Sequence, residues 1–391
     1  MTQLLYKLIG RLPIGWLQLA HSKTRLAAAL AGVAFANILV FVQLGILGSL
    51  NDSTIAPYNL FEADIMISSV DANTLLDGSN VARVRMFQAL ATPGVADATP
   101  LFIQNIDWTR PDGGTSTLQT VGLTPKATAF LPDRLEDDIA GLLLPNTILL
   151  DAGTRNLPAE ALDGVSPRNP YRLELGGIAV SGIGTVQIGG GFTADGTIYV
   201  SDQTFLNLFP NRSSAAPNHV LVTVNDGIAP EVVVDRLQRA LPTDVLKIDT
   251  KANIAAADLA YQTTERPTGI IFGFGVIIGI IVGIVIVYQV LSTDVADHLK
   301  EYATFKAMGY SQSFFTGIVL EEAVILAVLG FIPGFLISWG IYTLMGAATG
   351  LPLDLGAGRA MSVLVGTILA CVISGIIATR RLAAADPADL F

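Results

Sequence analysis

The chain is short of the residues that most often carry chemistry. In 391 residues there is one cysteine, Cys371, and there are three histidines, His21, His219 and His298. A lone cysteine excludes an internal disulfide and paired-thiolate metal sites. Between residues 51 and 267, His219 is the only imidazole that could serve a serine or cysteine nucleophile as its base. G-x-S-x-G and H-E-x-x-H are both absent. So is G-x-x-x-x-G-K-S/T, and P-loop ATP hydrolysis is not expected of this chain. Charge is scarce as well. It makes up 14% of the residues, and from Thr268 to Thr293 it is missing altogether.

What fills the chain instead is long apolar runs. They cover Leu26–Leu50, Thr268–Leu291, Phe314–Met345 and Met361–Thr379. A helix rising 1.5 Å per residue crosses a hydrocarbon core of about 30 Å in about 20 residues, so each run can span. The first run exceeds the apolar core of a signal peptide and is expected to be a permanent anchor. The third carries Glu321 and Glu322 early, the membrane-embedded polar candidates, and Pro333-Gly334 in its middle, which predicts a tilt or kink. Ahead of the first run, Trp16 with Lys23 and Arg25 suits a helix lying in the membrane interface.

Charge predicts the orientation. Residues 1–25 hold Lys7, Arg11, Lys23 and Arg25 and no acid, and Arg380-Arg381 follow the last run. Residues 51–267 carry 25 acidic against 14 basic side chains. Basic flanks stay in the cytoplasm, which places both termini inside and the acidic middle outside. Such a surface argues against nucleic acid as a partner. The expected fold is an α-helical membrane protein with four transmembrane helices and a large α+β periplasmic domain inserted between helices 1 and 2.

Within 51–267, two strand–helix–strand patterns recur. One runs from Phe61–Val70 through Val81–Leu90 to Leu101–Trp108; the other combines His219–Val224, Pro230–Leu241 and Val245–Asp249. They predict two halves of one subdomain, about 58–117 and 216–250. The Gly- and Pro-rich residues 118–215 between them read as a β-rich insertion. Gly189-Gly190-Gly191 lacks the Lys-Ser/Thr of a phosphate loop and is expected to be a turn before the strand Thr197–Val200. Residues 251–267 read as a helical stalk running directly into the second span, and the first span is expected to continue past Leu50.

The loop between the second and third spans, 292–313, has a helical pattern. Val295, Leu299, Tyr302 and Phe305 recur at helical spacing, Asp294, Asp297, Lys300, Glu301 and Lys306 mark the other faces, and Gly309 reads as a terminating glycine. Such a helix suits docking into another protein's groove, or lying flat on lipid.

Residues Tyr288–Tyr310, with Glu301 and the ending Phe305-Lys306-Ala307-Met308-Gly309, resemble the coupling helix of the MacB/FtsX-like ABC permeases. The run 13–19, the run Glu322–Gly334 and the ending 384–391 resemble the DevC-type permeases of the DevBCA exporters within that family. The resemblance implies a non-catalytic subunit that works as a homodimer in a bacterial inner or plasma membrane of cyanobacterial type. Asp294, Asp297, His298, Leu299, Glu301, Tyr302, Phe305, Lys306, Met308 and Gly309 would then dock a separate DevA-like ATPase. ATP and magnesium would be bound by that ATPase, with no cofactor on this chain. A DevB-like periplasmic adaptor would bind the exported domain and lead to a TolC-like outer-membrane channel. The implied function is export of a lipid-like or glycolipid substrate, driven by ATPase motion transmitted to the periplasmic domain. An FtsX-like transducer activating a periplasmic hydrolase is the alternative.

Overall fold

The computed structural model describes residues 14–132, 135, 139–298, 301, 304–306, 308–351 and 353–384. In chain order the helices and strands are α1 (Ile14–His21), α2 (Lys23–Ile55), β1 (Ile65–Ser69), α3 (Val84–Leu90), β2 (Val95–Thr109), β3 (Thr115–Leu123), β4 (Thr147–Asp151), β5 (Tyr171–Leu175), β6 (Ile178–Val186), β7 (Gly196–Ser201), α4 (Asp202–Leu208), β8 (His219–Val224), α5 (Pro230–Ala240), β9 (Leu246–Thr250), α6 (Lys251–Thr264), α7 (Pro267–Asp297), α8 (Gln312–Thr349) and α9 (Ala357–Ala384). They divide into two units. The first comprises the chain up to Leu47, 271–345 and the chain from Leu353; the second comprises 48–270 and 346–352.

The first unit is helical. Four helices, α2, α7, α8 and α9, are long and apolar enough to cross a membrane. In hydrocarbon, burying an apolar side chain gains nothing over lipid, so close backbone approach drives helix association. Gly275, Gly279 and Gly283, four residues apart on α7, supply it. A Cβ at these positions would lie 2.5 Å from Gln43, 3.2 Å from Val40 and 3.2 Å from Ala36 of α2. Polar groups within this unit are tied across helices. Thr367 Oγ1 donates to Asn37 Oδ1 at 2.5 Å, and Ser374 Oγ donates to the Ile284 carbonyl at 3.0 Å. α8 runs through Pro333 without ending there.

The second unit is built on a nine-stranded sheet of order β5-β6-β4-β7-β3-β2-β8-β1-β9. Its pairs are antiparallel except for β3–β7 and β4–β6. Strands β1 and β8 are buried on both faces, so their apolar residues sort by parity. Ile65, Ile67, Val220 and Val222 pack with Met86 of α3 and Val233 and Leu237 of α5, whereas Met66 and Leu221 join Tyr58, Phe61, Tyr199 and Ile254. The two expected strand–helix–strand units are present as β1-α3-β2 and β8-α5-β9. Their strands pair as β2-β8-β1-β9, the ferredoxin-like arrangement.

Two boundaries differ from the sequence expectation. Leu118, expected to open the insertion, lies inside β3, which pairs with β2 from Phe102 to Thr109. The 15-residue β2 serves both parts. Its first half pairs with β8, and its second half puts Phe102, Ile106 and Trp108 into a core with Ile148, Leu150, Leu175 and Phe205 of the insertion. The stalk also differs. α6 stops at Thr264 and α7 starts at Pro267, so the two are not one helix. Proline lacks the N–H that would continue α6 and biases Arg266 away from helix. A Cβ on Gly269 would lie 2.2 Å from the Gln262 carbonyl, so the chain folds tightly against itself there. At the other end α2 continues beyond Leu50 to Ile55, and a 3-10 turn, Ala56–Leu60, follows with Pro57 in its first turn.

Candidate functional site

The segment between α7 and α8 is the candidate site, and its last turn is built by a recognisable stop signal. Glu301 and Thr304–Lys306 are helical. Gly309 has φ of 92°, the left-handed conformation that glycine adopts without a Cβ penalty. Its N–H donates to the Lys306 carbonyl at 3.0 Å, and the Tyr310 N–H donates to the Phe305 carbonyl at 3.2 Å. These two bonds make a Schellman cap. The apolar contact that accompanies such a cap is aromatic here. The rings of Phe305 and Tyr310 are 5.6 Å apart, and the Tyr310 ring packs at a tilt against Phe314 of α8, 4.8 Å away. The cap therefore fixes the direction in which the turn enters α8.

The expected docking residues divide by exposure. Glu301, Phe305, Met308 and Gly309 are exposed, and Lys306 is half-buried. Met308 is 60% exposed and Phe305 38%, a large apolar surface for a turn this short. Leu299 and Tyr302 lie outside the described residues. Asp297 is exposed and His298 half-buried. Asp294 departs from the expectation, because it is 2% exposed and belongs to the interior. The sequence put it on an outer face of a separate loop helix. In the structure α7 continues unbroken to Asp297, so Asp294 keeps the phase of the span. Its neighbour Val295 is likewise buried, packed on Phe315, Ile318 and Val319 of α8.

Asp294 is held by Arg25 of α2, Nη1 to Oδ1 at 3.5 Å, and its Oδ2 lies 3.6 Å from His298 Nδ1. Arg25 Nη2 also reaches Asp297 Oδ2 at 2.5 Å. In the sequence Arg25 stands only as an orienting charge and as a basic neighbour of Trp16 at the membrane interface. Arg25 opposite aspartates three residues apart on one helix was the available signal. Glu322 is fully buried and faces the Asp294 carboxyl, and Glu321 is half-buried.

In the second unit the Gly189–Gly191 turn binds an anion of its own chain. The buried Asp151 carboxylate accepts from the N–H groups of Gly153 at 2.8 Å, Ile188 at 2.9 Å, Gly189 at 2.9 Å and Thr197 at 3.3 Å. The glycines let backbone donors converge on one carboxylate. His219 is also committed internally. Its Nε2–H donates to the Leu75 carbonyl at 2.9 Å, and its Nδ1 accepts from Ser68 Oγ at 2.8 Å. Burial lowers its pKa from 6.5 to about 4, so the ring is neutral. Among the described residues, no group of three His, Cys, Asp or Glu side chains is placed to hold a metal.

Residues 273–387 match the family described as FtsX-like permease C-terminal. This stretch contains most of α7, the capped turn, α8 and α9. No curated protein matches the chain. Among solved structures, the periplasmic region of MacB from Actinobacillus actinomycetemcomitans is similar at 12% identity and a TM-score of 0.33, covering 51% of this chain and 93% of that one. The extracellular domain of the noncanonic ABC-type transporter YknZ from Gram-positive bacteria is similar at 12% identity and a TM-score of 0.34, covering 48% of this chain and 98% of that one.

Proposed function

We propose that this chain is the membrane-spanning permease subunit of an ATP-driven ABC exporter of the MacB/FtsX type, acting as a homodimer. One observation carries the reading. A rigidly capped turn presents Phe305 and Met308 to solvent, inside the stretch matched as an FtsX-like permease. Exposed apolar anchors on a short, pre-organised helix suit docking into a groove, because little conformational entropy is lost on binding. The partner is a separate ATPase of the DevA kind, which binds ATP and magnesium. This chain supplies no catalytic group and converts the partner's closure into movement of the sheet-bearing unit.

The finer reading follows the resemblance to the DevC-type permeases. The sheet-bearing unit faces the periplasm of a cyanobacterial-type cell and binds a DevB-like adaptor that leads to a TolC-like channel. The cargo is a lipid-like molecule or glycolipid. The alternative is an FtsX-like transducer whose periplasmic unit activates a hydrolase. Purification from native membranes separates the two, since an adaptor copurifies in the first case and a hydrolase in the second. The direct test reconstitutes the full chain in lipid nanodiscs with the ATPase that copurifies with it. Stimulated ATP hydrolysis is the expected result, and hydrolysis indifferent to the chain overturns the reading.

A further inference from the structure

Four helices of the membrane-spanning unit meet at one point just before the capped turn. Arg25, in the first turn of α2, bridges Asp294 at 3.5 Å and Asp297 at 2.5 Å near the end of α7. Three residues apart, the two aspartates lie on one helical face, so a planar guanidinium can reach both with separate nitrogens. Glu322 of α8 lies behind Asp294, with Glu321 next to it in the chain. Gly15 of α1 seats directly on Glu322. A Cβ there would stand 2.8 Å from Glu322 Cγ and 3.0 Å from the Ile318 carbonyl. His298 closes the cluster from the α7 side at 3.6 Å.

Buried acids without a cation are costly at a membrane boundary, and a group placed there has a task more often than not. Arg25 is 40% exposed while Asp294 is 2% exposed. The guanidinium thus enters from the solvent side and holds the end of α7 against the start of α2. Lysine would not do the same, because its single ammonium cannot present a fork to two carboxylates. The connection has a consequence along the chain. α2 continues at its far end into the sheet-bearing unit, which begins at Gly48, as α7 does at its own start.

We propose that Arg25 is a positioning residue for coupling: it fastens the segment that receives the ATPase to α2, so that displacement of the docked turn is delivered to the helix leading into the sheet-bearing unit. This rests on the permease reading above. Arg25 is not part of the docking surface. Its loss changes what docking accomplishes and leaves docking itself intact.

The test uses the full chain in nanodiscs with its copurifying ATPase and measures two quantities, the Kd for the ATPase and the stimulated rate of ATP hydrolysis. With Arg25→Gln the Kd stays within about twofold of the parent, while the stimulated rate falls about tenfold, the size of effect expected for a charge-assisted pair. Arg25→Lys, which restores one of the two contacts, lies between. Asp294→Asn gives part of that loss, since Arg25 keeps its contact with Asp297, and the double variant is no worse than Arg25→Gln alone, because Asp294 has by then already lost its Arg25 partner. Variants that do not insert are replaced in this comparison by Asp294→Asn, which keeps the buried shape. Equal rates in Arg25→Gln and the parent overturn the proposal. So does a Kd that weakens in step with the rate, which would put Arg25 in the docking surface, and so do fully additive losses. A parent chain that stimulates no hydrolysis defeats the permease reading itself and is recognised before any variant is made.

Discussion

Tyr58 donates its phenolic hydrogen to Asp258 Oδ2 at 2.9 Å, joining residues 200 apart in the chain. The same oxygen accepts from the Leu75 N–H at 3.1 Å. One carboxyl therefore ties together the turn that follows α2, the helix that precedes α7 and the loop after β1. The chain segments that follow α2 and precede α7 are both bound here. Burial raises the Asp258 pKa against the opposing pull of these two bonds.

Asp258→Asn should be tolerated, because the amide oxygen still accepts from Tyr58 and Leu75 without a buried charge. Asp258→Leu should destabilise the unit by about 2 kcal/mol or more, since it strands a buried hydroxyl and a buried N–H. Hydrogen exchange at the Leu75 amide in the full chain reads the difference. Equal protection in the two variants would mean the tie has no energetic weight.

His219 makes the sheet-bearing unit acid-sensitive. Its folded pKa of about 4 lies below the unfolded 6.5, so between these values the unfolded chain binds more protons. Stability is full above pH 6.5, falls as pH drops through the window and levels off below about 4. The total loss is about 3 kcal/mol at 1.36 kcal/mol per unit. Exchange of the β1 and β8 amides, corrected for intrinsic rates, should show this slope in the parent. It should be much reduced in His219→Gln.

Gly309→Ala should weaken the capped turn. A side chain in the left-handed conformation costs about 1 kcal/mol, and here the cost is set against two backbone hydrogen bonds. The expected result is an ATPase affinity lowered several-fold, with α8 unaffected. Unchanged affinity would show that the cap does not orient the docking residues.

Phe305→Ser and Glu301→Lys should both uncouple the ATPase while the chain still inserts in the membrane. Phe305 should cost more, about 2 kcal/mol of binding, because aromatic anchors carry most of the energy of a small interface. Glu301 is exposed, and its reversal should show a stronger dependence on salt. Normal stimulation in both variants would remove the turn as the docking site.

Some features were legible in the sequence because they are written locally. Apolar runs of about 20 residues or more identified the spans. Alternation marked the stretch around β1, an apolar run marked β8, helical periodicity marked α3 and α5, and Gly309 marked its own cap. Each depends on residues within one or two turns of one another. Tertiary structure decided the rest, because the rest depends on pairs far apart in the chain. Asp294 and Asp297 differ little in sequence, but α7 continues in phase and buries the first while exposing the second. Arg25 became a clasp only when α2 was laid beside the end of α7, and Gly15 became a seat only when α1 was set on Glu322. β2 could be shared between two cores only once the sheet had assembled around it. Periodicity tells a residue which way it faces along its own element; which partner waits there is settled by packing.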